Sequence, residues 1–250
     1  MKQFLMILML CLLLAGCTGT ESVETAVPDV PPATVQLLPT QQAQAPTLPP
    51  AEIPTEIPEP EDSELVRVAE YVPGIRLDLR YATDGNFTGQ PVYDFADAYL
   101  RYGTVRKLKQ VCEELKARGL GILIWDAFRP QSAQEKLWQI CPDPTYVSHP
   151  VTGSRSHCRG SAIDLTLVDL ETGAQMVMPT DFDDFTALAD RDYSDCPEEA
   201  EKNARLLEQV MEKHGFQPYS AEWWHFSDTD EYPVDEMFRP EQTVFDGGVG

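Results

Sequence analysis

Positive charge is scarce in this chain: 19 lysines and arginines stand against 41 aspartates and glutamates in 250 residues, a formal net charge of −22 at pH 7. The long-range field of such a surface repels polyanions. That argues against nucleic acid or an anionic membrane surface as partners held by charge, and leaves cationic or zwitterionic small molecules. Lysine and arginine are missing altogether between Thr18 and Val66, where ten prolines fall and acidic residues gather toward Glu56-Ile57-Pro58-Glu59-Pro60-Glu61-Asp62. A stretch so composed cannot bury enough apolar surface to offset the entropy of ordering it. Histidine is rare too, with four residues in all. The apolar run from Phe4 to Leu14 is well short of the ~20 residues that a membrane-spanning helix needs.

What is present divides the chain. Residues 1–16 read as a signal peptide, with Lys2 at a short positive end, the apolar run, and a close on Leu14-Ala15-Gly16-Cys17. That close resembles a bacterial lipoprotein signal, in which cleavage before Cys17 leaves it to carry the lipid and anchors the protein to the membrane on its extracytoplasmic side. An ordinary secretory signal with a chance cysteine, or an anchor helix left uncleaved, is the alternative. Residues 17–64 then form a semi-extended tether, residues 65–240 one folded domain, and residues 241–250 a frayed tail. Cys112, Cys141, Cys158 and Cys196 remain after processing, and four cysteines outside the cytoplasm allow three disulfide pairings. Cys158 adjoins His157, but neighbouring side chains on an extended segment point opposite ways, so it reads as a bystander or disulfide partner rather than a metal ligand.

Within the domain, the alternation of Ile75, Leu77 and Leu79 with Arg76, Asp78 and Arg80 predicts an extended segment over 68–81. Asp97 is a candidate cap for a helix carrying Leu100, Val105, Leu108, Val111, Cys112 and Leu115 inward and stopped by Gly119. Gly121 to Trp125 reads as a buried strand that delivers Asp126-Ala127-Phe128-Arg129-Pro130 at its end, followed by a short helix over 131–140. His149, between prolines, reads as an exposed loop residue. A second amphipathic helix spans 198–214, where His214 in the last turn suits the helix dipole and stays out of any metal site. A last strand covers 222–226.

Two segments concentrate the chemistry: Ser154-Arg155-Ser156-His157-Cys158-Arg159-Gly160-Ser161-Ala162-Ile163-Asp164-Leu165-Thr166-Leu167, and Glu222-Trp223-Trp224-His225. Two imidazoles and two carboxylates suit a catalytic zinc, three as ligands and the fourth handling protons. Strand parity puts Ile163, Leu165 and Leu167 on one face and Asp164 on the other. His157 precedes Asp164 by seven residues, so an unbroken strand would send them apart, and Gly160 offers the bend that joins them. Glu222 and His225, three apart, likewise require a turn or kink. Taken singly, each residue has a structural alternative: Asp164 paired with Arg129 or Arg155, the histidines as satisfied core residues, Glu222 paired with a lysine. Together those alternatives require two separate polar clusters in a small core, each costly unless fully paired.

These segments, with Trp125-Asp126-Ala127-Phe128-Arg129-Pro130 and Arg80-Tyr81-Ala82-Thr83-Asp84-Gly85-Asn86-Phe87-Thr88-Gly89, closely resemble the VanX-type D-alanyl-D-alanine dipeptidases. Those belong to a wider group of zinc D,D-peptidases sharing a fold with the hedgehog signalling domain. The resemblance implies a single α+β domain, with a central, mainly antiparallel sheet and flanking helices. It implies one zinc ion per chain held by His157, Asp164 and His225, Glu222 as general base, and Arg129 steadying the tetrahedral intermediate. It also implies Asp183 on the substrate's free ammonium and Tyr81 lining the pocket. The implied substrate is a small D-amino-acid dipeptide. A D,D-carboxypeptidase acting on wall peptides and a non-catalytic, zinc-holding peptide-binding module are the alternatives, and retention of Glu222 argues against the second. In two places the chain departs from the family pattern. Arg155 stands where the family has a serine two places before the first histidine, and the stretch between Pro130 and Ser154 is shorter, which implies a pocket open to longer peptides.

Overall fold

Strand β5 (Ala162–Asp169) is buried on both sides of the pleat at every residue but its last. It has to sit mid-sheet with both faces covered, and it is the central strand of a five-stranded sheet. The computed structural model describes residues 59–242; the expected signal peptide, Cys17, residues 18–58 of the tether and residues 243–250 lie outside them. In that sheet β2 (Arg76–Leu77), β4 (Leu120–Asp126), β5, β7 (Glu222–Asp228) and β6 (Phe216–Tyr219) lie side by side in this order. Only β2 and β4 pair in parallel. A second, two-stranded antiparallel sheet joins β1 (Leu65–Arg67) to β3 (Tyr99–Arg101).

Four α-helices accompany the sheets among the described residues: α1 (Val68–Tyr71), α2 (Tyr102–Lys116), α3 (Gln131–Ile140) and α4 (Glu198–Lys213). The apolar stripe of α2, from Val105 through Leu108 and Val111 to Leu115, and that of α4, with Leu207, Val210 and Met211, are buried in the core. The helices therefore flank a mainly antiparallel sheet, an α+β arrangement as expected.

Two local expectations are corrected. The segment over 68–81 is not one extended run. Val68–Tyr71 winds into a helical turn, its Val68 amide donating to the Ala98 carbonyl, only Arg76–Leu77 pairs with β4, and Arg80–Ala82 closes a 3-10 turn. Nor does Asp97 cap α2. Pairing with β1 claims Tyr99–Arg101 as strand, and the Arg101 guanidinium bonds the carbonyls of Arg159, Ser63 and Pro233, so the helix starts at Tyr102. The stops at Gly119 and Gly215 hold. Cys112, Cys141, Cys158 and Cys196 are all free thiols, so none of the three pairings forms.

Candidate metal centre and its pocket

His157 sits in a 3-10 turn, His157–Arg159, and Gly160 ends it in the left-handed region at φ 69°. An L-residue with a side chain resists that conformation. A Cβ here would also lie 2.4 Å from Leu65 Cδ2 and would have to displace the end of that side chain. The turn lets His157 fold back over β5 to meet Asp164, as the odd spacing demanded. Asp164 lies opposite His225 in the register of β5 with β7. The expected kink beside Glu222 is also present: Pro218 faces Phe226, yet Tyr219 already faces Glu222. That slip in register leaves Glu222 Oε2 3.8 Å from His225 Nδ1.

The potential ligand atoms of His157, Asp164 and His225 all fall within 4.8 Å of one another. His225 Nδ1 is 3.0 Å from Asp164 Oδ1, and His157 Nε2 is 3.4 Å from Asp164 Oδ2 and 3.2 Å from His225 Nδ1. The outer contact of His157 sets its tautomer. A carbonyl can only accept, so His157 Nδ1 donates to Ala127 O at 2.8 Å and turns the lone pair of Nε2 inward. Ser227 Oγ, 3.1 Å from His225 Nε2, can accept from that nitrogen, and the tautomer in which it does leaves Nδ1 free to do the same. Two imidazole lone pairs and a carboxylate thus converge on one point, and the donor set fits zinc. Among these protein groups alone, burial disfavours both charges. Even so, His157 is raised by Asp164, and Asp164 is held well below the usual carboxylate range by His157 and His225.

A cavity of about 290 Å³ opens in front of the cluster, and Glu222, Arg129, Tyr81 and Asp183 line it. Burial, with the charge of Asp164 adding, raises the pKa of Glu222. Asp183 is the one non-glycine residue at positive φ among the described residues, at 56°. Its Oδ2 accepts from the Tyr81 hydroxyl at 2.9 Å, and burial, reinforced by Asp164 and Glu222, pushes its carboxyl up to about 8. Tyr81, buried beside that carboxylate, stays protonated far above its ordinary range. Arg129 follows the end of β4, its guanidinium 5.1 Å from the Tyr81 ring centre. Burial opposes its charge, but Asp126 holds it firmly protonated.

Asp126 is the residue that sequence reasoning passed over. Fully buried, it accepts from Arg129 Nε and Nη2 through Oδ2 at 3.1 and 2.6 Å, and from the Tyr93 hydroxyl through Oδ1 at 2.6 Å. Arg129 therefore pairs with Asp126 rather than Asp164. The one available signal was a carboxylate at the end of a wholly apolar strand.

The remaining histidines stand outside the cluster. His214 caps α4 and meets Glu114 at 2.8 Å, as its place at a helix end implied. His149 is half-buried rather than exposed: its ring packs 4.8 Å from Trp138 and accepts from the amides of Val151 and Thr152. The segment after α3 contributes Pro144 to Ser148 to the cavity wall, and Tyr146 reaches across to stack 4.6 Å from Phe185.

The family model described as Peptidase_M15, D-ala-D-ala dipeptidase, matches residues 61–243. The chain is 40% identical over 164 residues to the D-alanyl-D-alanine dipeptidase of Escherichia coli (strain K12), covering 66% of this chain and 84% of that one. It is 33% identical over 189 residues to the D-alanyl-D-alanine dipeptidase of Enterococcus faecalis (strain ATCC 700802 / V583), covering 68% and 94%. A solved structure described as VanYB in complex with D-Alanine-D-Alanine is similar at a TM-score of 0.36, with 14% identity over 53% of this chain and 73% of that one. The match over residues 61–243 and the identity to these relatives establish that the chain belongs to the D-ala-D-ala dipeptidase family of peptidases.

Proposed function

We propose that this chain is a zinc-dependent D-alanyl-D-alanine dipeptidase, lipid-anchored through Cys17 outside the cytoplasmic membrane. The observation that carries the reading is the convergence of His157 Nε2, His225 Nδ1 and the Asp164 carboxylate, with Glu222 beside them. A zinc ion held by His157, Asp164 and His225 would supply Lewis-acid chemistry there, polarising the scissile carbonyl and making water a nucleophile near neutral pH. Glu222, with its raised proton affinity, takes a proton from the attacking water and returns it to the leaving amine. Arg129, fixed by Asp126, places positive charge where the oxyanion forms. Asp183, oriented by Tyr81, binds the substrate's free ammonium, which restricts the enzyme to peptides whose amino end lies next to the scissile bond. The address rests on Lys2, the apolar run and Leu14-Ala15-Gly16-Cys17. An enzyme so placed meets dipeptides released by wall turnover or taken from outside.

Incubating the zinc-loaded protein with D-alanyl-D-alanine and with a muramyl pentapeptide tests the reading, alongside Glu222→Ala and Asp183→Ala. Cleavage of the dipeptide alone is expected, with none by Glu222→Ala although it retains zinc, and with lost or relaxed recognition in Asp183→Ala. Cleavage of the pentapeptide but not the dipeptide replaces the proposal with a D,D-carboxypeptidase. Zinc binding without hydrolysis of either leaves a binding module.

A further inference from the structure

Two arginines line the pocket, and the fold treats them differently. Arg129 donates twice to the buried Asp126 and once, from Nη1, to Gln134 Oε1 at 2.9 Å, so it is held in place for the oxyanion role given to it above. Arg155 has no such partner. Its Nη2 donates to the neutral Gln131 Oε1 at 2.9 Å, and the carboxylate it meets, Glu236, is 3.5 Å away and 71% exposed. Its Nε is buried and has no hydrogen-bond partner. The two glutamines come from the first turn of α3, three residues apart and so on one side of the helix. Each is anchored in turn: Gln134 donates to Ser148 O at 2.7 Å and Gln131 to Pro150 O at 3.0 Å. Arg155 is thus held at the pocket wall by a positioned neutral group, and the carboxylate facing its charge is an exposed one at 3.5 Å.

A dipeptide with free ends brings an ammonium and a carboxylate. If Asp183 takes the first, the second needs a cation, because a carboxylate that leaves water unpaired carries a large desolvation penalty. The other charged side chains of the pocket are mostly anionic, Asp164, Asp183 and Glu222, and Arg129 is committed. We propose that Arg155 binds the substrate's C-terminal carboxylate and makes the pocket selective for peptides with a free C-terminus. The proposal rests on the dipeptidase reading and adds to it the residue that reads the opposite end of the substrate. Arginine suits the task because its planar fork offers two parallel N–H donors to two carboxylate oxygens, which an ammonium does not.

The test is calorimetric binding of D-alanyl-D-alanine and of D-alanyl-D-alaninamide to zinc-loaded Glu222→Ala protein, in which turnover is blocked, with and without Arg155→Gln. With Arg155 present, the acid should bind roughly 10- to 100-fold more tightly than the amide, the worth of a hydrogen-bonded charge. In Arg155→Gln that preference should largely vanish, through weaker binding of the acid and unchanged binding of the amide. Arg155→Lys, checked for folding by circular dichroism, should keep part of it and covers the case in which the glutamine variant does not fold. An undiminished preference in either folded variant, or no preference in the parent, overturns the proposal. Arg155-dependent preference without hydrolysis by the zinc-loaded wild type sinks the dipeptidase reading and leaves the carboxylate subsite standing. No binding of the dipeptide at all sinks both.

Discussion

The Tyr81 hydroxyl donates a 2.9 Å hydrogen bond to Asp183, across 102 residues of chain. Tyr81 is itself locked by ring contacts to Tyr93 at 5.7 Å and to Phe182 at 5.6 Å. The donor is rigid, and it fixes the carboxylate proposed to receive the substrate's ammonium.

Removing that hydroxyl should act on binding rather than chemistry. Tyr81→Phe keeps the rings and leaves Asp183 free to turn away, a loss of about 1–2 kcal/mol or roughly 5- to 30-fold in kcat/KM. Steady-state kinetics on D-alanyl-D-alanine should place the change in KM. A fall in kcat at constant KM would show that Tyr81 acts on the reacting centre instead.

Asp183 also predicts a pH dependence of stability. Its carboxyl titrates near 8 in the folded protein, against ~3.9 for an unfolded aspartate. Between those values the folded chain keeps a proton that the unfolded chain has lost, so this group's contribution to stability declines as pH rises and levels off above pH 8. Asp183→Asn removes the slope. In chelator-treated protein the variant should therefore gain on wild type between pH 5 and pH 8, by about 1–2 kcal/mol, since water reaching the carboxylate weakens the full linkage. Urea unfolding at the two pH values measures it, and an equal difference at both would contradict the assignment.

How far the site was legible in the sequence follows from what each residue's role depends on. His157, Gly160 and Asp164 could be read together because the constraint is local: an odd spacing on a strand requires a bend, and glycine supplies it. The strand over 121–125 was legible as a short continuous apolar run, and α4 by the helical spacing of its apolar residues, both local signals. The stretch over 68–81 was not, because its alternation of apolar residues came from packing against separate partners rather than from one strand. Asp126 shows the limit best. Arg129 stands three residues on, but nothing in the sequence says that the other partner is Tyr93, 33 residues away.

Asp126→Asn should therefore cost more than an ordinary polar substitution. It leaves a buried guanidinium without its counter-charge, a loss of about 3–5 kcal/mol for a broken buried pair. Chemical denaturation should show this, with kcat falling as Arg129 loses its position. The double variant Asp126→Asn/Arg129→Gln should recover much of the stability and none of the activity. If the double variant is no more stable than Asp126→Asn alone, Asp126 is holding Tyr93 and the Ala127 amide rather than Arg129.

Gly160 ties the fold to the metal centre most directly. An alanine there must hold φ near 69°, which costs an L-residue roughly 1–2 kcal/mol, and its Cβ must displace the end of the Leu65 side chain. The turn that feels both effects carries His157. Gly160→Ala should thus lower the unfolding free energy by about 2 kcal/mol and, by loosening one ligand, weaken zinc binding roughly 10-fold. Adding Leu65→Ala separates the two causes, since it relieves the collision and leaves the backbone penalty. Zinc affinity should recover only in part in the double variant. An unchanged zinc affinity in Gly160→Ala, beside a lowered melting temperature, would mean that the turn serves the packing of β1 and β3, where the Gly160 carbonyl accepts from the Arg101 amide, and that His157 finds its place without it.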